Sequence, residues 1–195
     1  STLCGLSVTI PHKQNIIQYL NDMDPAAKEI GAVNCVRVSQ GSSTAKLTGY
    51  NTDVYGFEQS LKPLLKPQHS KALILGTGGA AKAVAYILDK LNIKFRSVSR
   101  TQMDLMYSDL NKSILEEHTL IINASPVGMY PNVNSSPDIP YEFLTKNHLL
   151  YDLIYNPEES LFLKRGKEKR AQVKNGLEML HLQAEKAWEI WNGPT

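Results

Sequence analysis

The stretch from Ala72 to Arg100 constrains the fold of this chain more than any other. It opens with a short apolar run, ALIL at 72–75, passes through the glycine-rich turn GTGGAA at 76–81, and then shows helical apolar spacing from Lys82 to Leu88. A second apolar run, Phe95 to Val98, follows. This order predicts a strand, a tight turn, a helix and a second strand.

The glycine turn has the G-x-G-x-x-G/A form found where α/β proteins bind dinucleotides. In that form Gly76 allows the sharp bend, Gly78 lets the backbone approach a pyrophosphate, and Ala81 lets the helix pack closely on the strand. The phosphates would lie at the amino end of the helix. Ordinary strand-to-helix turns also match this form, so the turn by itself leaves the function open.

The residues after the second strand bear on the choice of cofactor. Ser99, Arg100 and Thr101 stand at roughly the spacing where a dinucleotide site reads the ribose. An acidic residue there would bind the free 2′-hydroxyl of NAD, whereas the guanidinium of Arg100 suits a 2′-phosphate. We therefore predict NADP. The alternative is a solvated surface arginine.

Further apolar runs extend the predicted sheet. Thr119 to Ala124 and His148 to Tyr155 read as strands, and a basic helix is predicted from Glu159 to Arg170. Alternating strands and helices of these lengths predict an α/β fold with a mostly parallel, doubly wound sheet. Ligands bind outside the carboxyl ends of such strands, so the turn at 125–129 is well placed to contact a nicotinamide.

The residues before the glycine turn predict a smaller α/β unit. We expect a buried strand at 3–10 ended by Pro11, and a helix at 54–61 that Asn51, Thr52 or Asp53 can cap. Between them the pattern predicts short helices at 14–21 and 25–30, strand-like runs at 31–38 and 46–50, and a hairpin turn at 40–43.

The last segment, Leu177 to Trp191, has apolar residues at helical spacing. We interpret Trp188 and Trp191 on this stripe as packing residues. Gln183 does not belong to the apolar set, and its position predicts that it points off the packed edge toward a cleft.

Composition excludes several classes of function. The chain has 195 residues, of which 42% are hydrophobic, and a net charge of +2, which gives no electrostatic footprint for nucleic acid. No apolar run approaches the length of a membrane span. Two cysteines and scattered histidines give no metal-ligand spacing. The two cysteines do not suggest a disulfide framework, so a reducing cytoplasm is the default location.

Seven segments, in order, resemble the signature pattern of the shikimate dehydrogenases, and together they cover essentially the whole chain. They are SVTIPHK at 7–13, GAVN at 31–34, GYNTD at 49–53, the glycine turn, SRT at 99–101, NASPVGM at 123–129 and NGLEML at 175–180.

The resemblance implies an activity and two catalytic residues. Members of that family reduce 3-dehydroshikimate to shikimate with NADPH, reversibly, in the pathway to chorismate and the aromatic amino acids. The cofactor supplies only a hydride, so a proton donor is also needed. Lys13 resembles the family's catalytic lysine and Asp53 its paired carboxylate. The residues alone also allow a solvated lysine and a helix-capping aspartate.

The resemblance also implies the binding residues and two domains with a cleft between them. Residues 1–65 and 174–195 would form the substrate domain, and 66–173 a Rossmann-like NADP-binding domain. A strand and helix with a Ser-x-Ser motif that holds the substrate carboxylate would be expected before Ser1. Substrate contacts are expected from Thr9, Lys13, Asn34, Asp53, Tyr155 and Gln183. Cofactor contacts are expected from Gly76, Thr77, Gly78, Gly79, Ala80, Ser99, Arg100, Thr101, Leu153 and Gly176. We expect Asn123 to fix the turn at the end of its strand rather than to touch the ligand.

Two alternatives stay open at this point. One is a quinate/shikimate dehydrogenase that prefers NAD, against which Arg100 argues. The other is a non-catalytic dinucleotide-binding module. The sequence also leaves open whether the protein is a monomer or a homodimer.

Overall fold

The computed structural model describes residues 3–9, 11–40, 45–101 and 104–193. Ile10, residues 41–44, which include 41–43 of the predicted hairpin turn, and residues 102–103 lie outside the described residues. The strands are β1 (Gly5–Ser7), β2 (Asp22–Met23), β3 (Cys35–Gln40), β4 (Ala45–Tyr50), β5 (Lys71–Leu75), β6 (Lys94–Ser99), β7 (Leu105–Met106), β8 (Leu120–Asn123), β9 (Leu149–Asp152) and β10 (Gln172–Lys174). The helices are α1 (Pro25–Ile30), α2 (Asp53–Leu61), α3 (Gly79–Lys90), α4 (Lys112–Glu117), α5 (Leu161–Glu168) and α6 (Leu177–Asn192).

The larger sheet is parallel, as the sequence predicts. Its strands run in the order β7-β6-β5-β8-β9-β10, which is the 3-2-1-4-5-6 order of the doubly wound fold. Ala72 and Ile74 face one apolar cluster, with Leu88 of α3, while Leu73 and Leu75 face a second, with Phe162 of α5. Both faces are covered, which explains why these strands are continuous apolar runs. The strand order reverses between β5 and β8, and that reversal opens a crevice at their carboxyl ends.

The smaller sheet has four strands in the order β1-β3-β4-β2. β3 pairs antiparallel with β1 and β4, and β2 pairs parallel with β4. The α1 helix begins at an N-cap, Asp24, whose carboxylate accepts from the backbone N–H groups of Ala26 and Ala27. The α6 helix returns to this sheet, where the Trp191 indole donates to the Val36 carbonyl at 3.1 Å.

Three sequence predictions are wrong in detail. The strand predicted as buried at 3–10 is the short β1. Leu6 is 42% exposed because β1 is an outermost strand of the smaller sheet. Trp188 does not pack, since it is 65% exposed. The strand predicted to reach Tyr155 ends at Asp152, whose carboxylate accepts from the Ile154 backbone N–H and so turns the chain. The short edge strands β7 and β10 were not predicted.

Candidate active site

Lys13 and Asp53 form an ion pair at the edge of the smaller sheet. Lys13 follows the turn after β1, and its carbonyl accepts from the Val33 N–H at 2.8 Å, which ties this turn to the segment before β3. Asp53 is the first residue of α2. The Lys13 Nζ lies 2.6 Å from Asp53 Oδ2, and the two side chains are 25% and 15% exposed. An ammonium has three N–H donors, so a pair in this setting keeps donors for a ligand.

The side chain of Asn34 connects this ion pair to two other segments. Its Nδ2 donates to Asp53 Oδ1 at 2.9 Å, and its Oδ1 accepts from the Thr52 backbone N–H at 2.7 Å. The Oε1 of Gln183, on α6, lies 3.3 Å from both Asn34 Nδ2 and Thr52 Oγ1. We call these five residues, Lys13, Asn34, Thr52, Asp53 and Gln183, the polar cluster.

Four of the five were predicted from the sequence, and the fifth, Thr52, was missed. Thr52 occupies the N-cap position of α2, but its side chain does not cap the helix. It is buried and bonded to Asn34 and Gln183 instead. Gly56 was also missed: a Cβ there would lie 2.5 Å from the Met179 carbonyl, so this glycine allows α2 and α6 to approach closely. That approach brings Gln183 to the cluster.

Two other predicted substrate residues lie outside this hydrogen-bond network. Thr9 is exposed on the turn before Lys13, where its carbonyl accepts from the His12 N–H at 2.8 Å. Tyr155 lies in the loop after β9 and is 50% exposed. Among the residues that the structure describes, neither side chain bonds to the polar cluster.

The glycine turn leaves the amino end of α3 open. Gly76 has a φ of +110°, which favours glycine, and a Cβ there would lie 3.2 Å from the Ser125 backbone nitrogen. Gly78 is the N-cap of α3 and offers no side-chain cap. A Cβ at Gly78 or Gly79 would meet nothing within 4 Å, and Thr77 is exposed. Uncapped helical N–H groups beside open space are suited to bind phosphate.

The segment predicted to read the ribose, 99–101, lies beside this turn. The Gly76 N–H donates to the Val98 carbonyl at 2.9 Å, which joins the ends of β5 and β6. Ser99 is buried and its hydroxyl donates to the Thr101 carbonyl, while Arg100 and Thr101 are exposed. The exposed guanidinium and the open α3 terminus together fit a dinucleotide.

The ends of β8 and β9 form the other side of the crevice. Asn123 fixes its own turn, as predicted: its Oδ1 accepts from the Ser125 N–H and hydroxyl at 3.1 and 2.7 Å. The Leu153 N–H donates to the Asn123 carbonyl at 3.0 Å. Gly176 packs directly on this segment, because a Cβ there would lie 2.2 Å from the Leu153 carbonyl oxygen. The structure thus places two predicted cofactor residues, Leu153 and Gly176, in contact.

We call the carboxyl ends of β5, β6, β8 and β9, with the turns that follow them, the sheet edge. Within the described ranges, no group of three or more His, Cys, Asp or Glu side chains is arranged to hold a metal ion. No helix there has the length and apolar character needed to cross a bilayer. The doubly wound sheet and its open glycine turn define an α/β protein of the dinucleotide-binding class, and the Lys–Asp pair adds an ammonium beside a carboxylate.

Comparison with known proteins identifies the family. The family model described as the shikimate dehydrogenase substrate binding domain matches residues 1–36. The "Shikimate dehydrogenase (NADP(+))" of Desulforamulus reducens is 37% identical over 218 aligned residues, which cover 99% of this chain and 72% of the relative. The chain belongs to the shikimate dehydrogenase family, whose members are NAD(P)-binding oxidoreductases of aromatic biosynthesis.

Solved structures agree with this fold and show the range of its ligands. Shikimate 5-dehydrogenase from Thermus thermophilus, in complex with NADP(H) and shikimate, has a TM-score of 0.84 at 31% identity, covering 99% of this chain and 74% of that one. Quinate dehydrogenase from Corynebacterium glutamicum, in complex with NAD, has a TM-score of 0.85 at 25% identity, covering 98% and 73%. The likeness therefore extends to proteins that differ in substrate and cofactor.

Proposed function

We propose that this protein catalyses the reversible reduction of 3-dehydroshikimate to shikimate with NADPH. The observation that carries the proposal is the Lys13–Asp53 ion pair, with a Nζ to Oδ2 distance of 2.6 Å, inside a network of neutral hydrogen-bonding side chains. A ketone reductase needs a proton donor at the developing oxyanion, and a polyhydroxylated ring needs partners for its hydroxyl groups.

Lys13 would act as the general acid in reduction and as the general base in oxidation. Its Nζ keeps donors beyond the one that Asp53 accepts, so it can bind the reacting oxygen while the ion pair holds it in place. Asp53 would orient Lys13 and accept a hydrogen bond from a substrate hydroxyl. Asn34 in turn orients Asp53, because its amide donates to Oδ1, the oxygen that Lys13 does not bind.

Substrate would lie between the polar cluster and the sheet edge. We assign Asn34 and Gln183 to its hydroxyl groups, and Thr9 and Tyr155, both exposed, to contacts made when substrate is present. This assignment keeps the predicted division of the chain, with a substrate domain at 1–65 and 174–195 and a cofactor domain at 66–173.

NADP would bind along the sheet edge. Gly76, Thr77, Gly78, Gly79 and Ala80 would hold the pyrophosphate, and Arg100 would pair with the 2′-phosphate beside Ser99 and Thr101. Leu153 and Gly176 would contact the nicotinamide end. When bound, the nicotinamide supplies the hydride donor for reduction.

The test is an initial-rate assay of the full natural chain with shikimate and with quinate, each against NADP and NAD, following the absorbance of the reduced nicotinamide. The proposal expects shikimate with NADP to give the highest kcat/KM. A preference for NAD, with quinate used as well, would replace it with the quinate/shikimate alternative. Binding of NADP without turnover of either substrate would leave only a dinucleotide-binding module.

A further inference from the structure

A buried carboxylate, Asp152, joins the two turns on the β8 and β9 side of the sheet edge. Asp152 is the last residue of β9 and is 0% exposed. Its Oδ1 accepts from Asn123 Nδ2 at 3.0 Å and from the Ile154 N–H at 3.1 Å, and its Oδ2 accepts from the Ser160 hydroxyl. In the part of the chain that the structure describes, no basic side chain forms an ion pair with it. Burial raises the pKa of Asp152 to about 6, although all three hydrogen bonds oppose the shift.

On one side, Asp152 determines how the Asn123 amide is oriented. The Asn123 Nδ2 also donates to the Val127 carbonyl at 3.3 Å, while its Oδ1 accepts from Ser125. A carboxylate only accepts hydrogen bonds, so a reversed amide would bring its oxygen against Asp152. The Asp152 carboxylate thereby fixes the Asn123 side chain, which in turn holds the turn at 124–128.

On the other side, Asp152 anchors both ends of the loop that carries Leu153 and Tyr155. The loop begins with the Ile154 N–H bonded to Oδ1 and closes at Ser160, the N-cap of α5, bonded to Oδ2. The Ile154 carbonyl then accepts from the Gly176 N–H at 3.0 Å. One carboxylate is therefore bonded directly to the Leu153–Tyr155 segment and, through the Asn123 side chain, to the 124–128 turn, and the nicotinamide ring would lie between these two segments.

We propose that Asp152 is a positioning residue of the cofactor site, which sets the spacing between the 124–128 turn and the Leu153–Tyr155 segment. The inference rests on the proposed function, because that function places the nicotinamide between these two segments.

The test compares two ligands by calorimetry: NADP⁺ and adenosine 2′,5′-bisphosphate, a fragment that ends before the nicotinamide. Asp152→Ala removes all three acceptor contacts, so we expect NADP⁺ to bind about tenfold more weakly and the fragment to bind within about twofold of wild type. Asp152→Asn keeps an oxygen for Asn123 and Ile154, so it should restore NADP⁺ binding to within about threefold. Asp89→Asn, an exposed carboxylate on α3, is the control for loss of charge.

Fragment binding also reports whether each variant is folded. If Asp152→Ala binds no fragment, Asn123→Leu serves instead, since it removes the amide but keeps a side chain branched at Cγ, and it should weaken NADP⁺ selectively. Equal weakening of both ligands in these variants would show a purely structural role and overturn the inference while leaving the proposed function intact. A wild-type protein that binds neither ligand would overturn both.

Discussion

The polar cluster takes its five side chains from four separate segments of the chain, whereas the glycine turn of the sheet edge lies within one contiguous stretch, 76–81. The cluster presents charge: a partly exposed ammonium and a carboxylate that also accepts from the Asn34 amide. The glycine turn presents backbone N–H groups and open space. This difference suggests a division of labour, with proton transfer at the cluster and cofactor binding at the sheet edge, and each prediction below tests one side of it.

The largest effect is expected at the cluster. Lys13→Ala should lower kcat by about 10²- to 10⁴-fold, because it removes a positioned acid–base group. It should lower the free energy of unfolding by about 1–3 kcal/mol, since Asp53, whose side chain is 15% exposed, loses its cationic partner and keeps the hydrogen bond from Asn34. Steady-state kinetics and denaturant unfolding measure the two quantities. Lys28→Ala, which breaks the exposed 3.0 Å pair with Asp22, is the control and should leave kcat unchanged.

The next effect concerns stability at the sheet edge and depends on pH. Burial raises the folded-state pKa of Asp152 to about 6, from an ordinary value of 3.8. The folded state therefore holds this proton more tightly than the unfolded chain, and the associated stability is fully present below pH 3.8 and is lost as pH rises through 6.

Asp152→Asn removes this dependence of the folding stability on pH, because the asparagine side chain does not ionise. It should unfold like wild type at low pH and be more stable by about 3 kcal/mol above the folded pKa. Denaturant unfolding across this pH range checks the difference. A difference between variant and wild type that stays constant with pH would contradict the burial argument.

Substitution of Arg100 tests the part of the sheet edge that would bind the 2′-phosphate of NADP. Arg100→Ala should weaken NADP binding by about 10- to 150-fold, because a hydrogen-bonded charge pair contributes about 1.5–3 kcal/mol. NAD lacks the 2′-phosphate, so its affinity in the same variant is the control and should stay within about twofold of wild type. Equal losses for both dinucleotides would show that Arg100 supports the fold of the site rather than reading the phosphate.

Substitutions at two glycines of the turn distinguish the effect of backbone strain from the effect of filling the space that a ligand would occupy. Gly76→Ala should destabilise the fold by about 1–3 kcal/mol, because alanine at positive φ is strained and its Cβ would press on Ser125. Gly78 has a φ of −75°, and a Cβ there would meet nothing within 4 Å, so the Gly78→Ala variant should be as stable as wild type. Its added methyl group should still weaken dinucleotide binding. Thermal unfolding and NADP titration of both variants distinguish the two effects.

The sheet edge was more predictable from sequence than the polar cluster, for a physical reason. A buried parallel strand, a glycine turn and an amphipathic helix are local patterns, so the sequence predicts both the larger sheet and the place of its glycine turn. The edge strands β7 and β10 escaped prediction because two or three residues are too short to show periodicity.

The cluster depends on long-range contacts that no local pattern encodes. Lys13 and Asp53 were assigned through the family resemblance, and their roles stay predictions. Gln183 was predicted to lie off the apolar stripe, and in the structure its Oε1 accepts from Asn34 Nδ2, while the cleft stays a prediction. Thr52 was missed because Asn51, Thr52 and Asp53 are equally suited to cap α2, and only the folded chain shows which partners each one finds. The prediction that Trp188 packs was wrong because helical periodicity identifies one face of a helix without showing whether another element covers it.

The most direct test of this division of labour measures Lys13→Ala and Arg100→Ala in one assay, with shikimate and either NADP or NAD. Lys13→Ala should lower kcat by about 10²-fold or more with both cofactors and leave the ratio of kcat/KM for NADP over NAD within about twofold of wild type. Arg100→Ala should lower that ratio by about tenfold or more and leave kcat with saturating NAD unchanged. A Lys13 variant that alters the ratio, or an Arg100 variant that lowers kcat with NAD, would contradict the division.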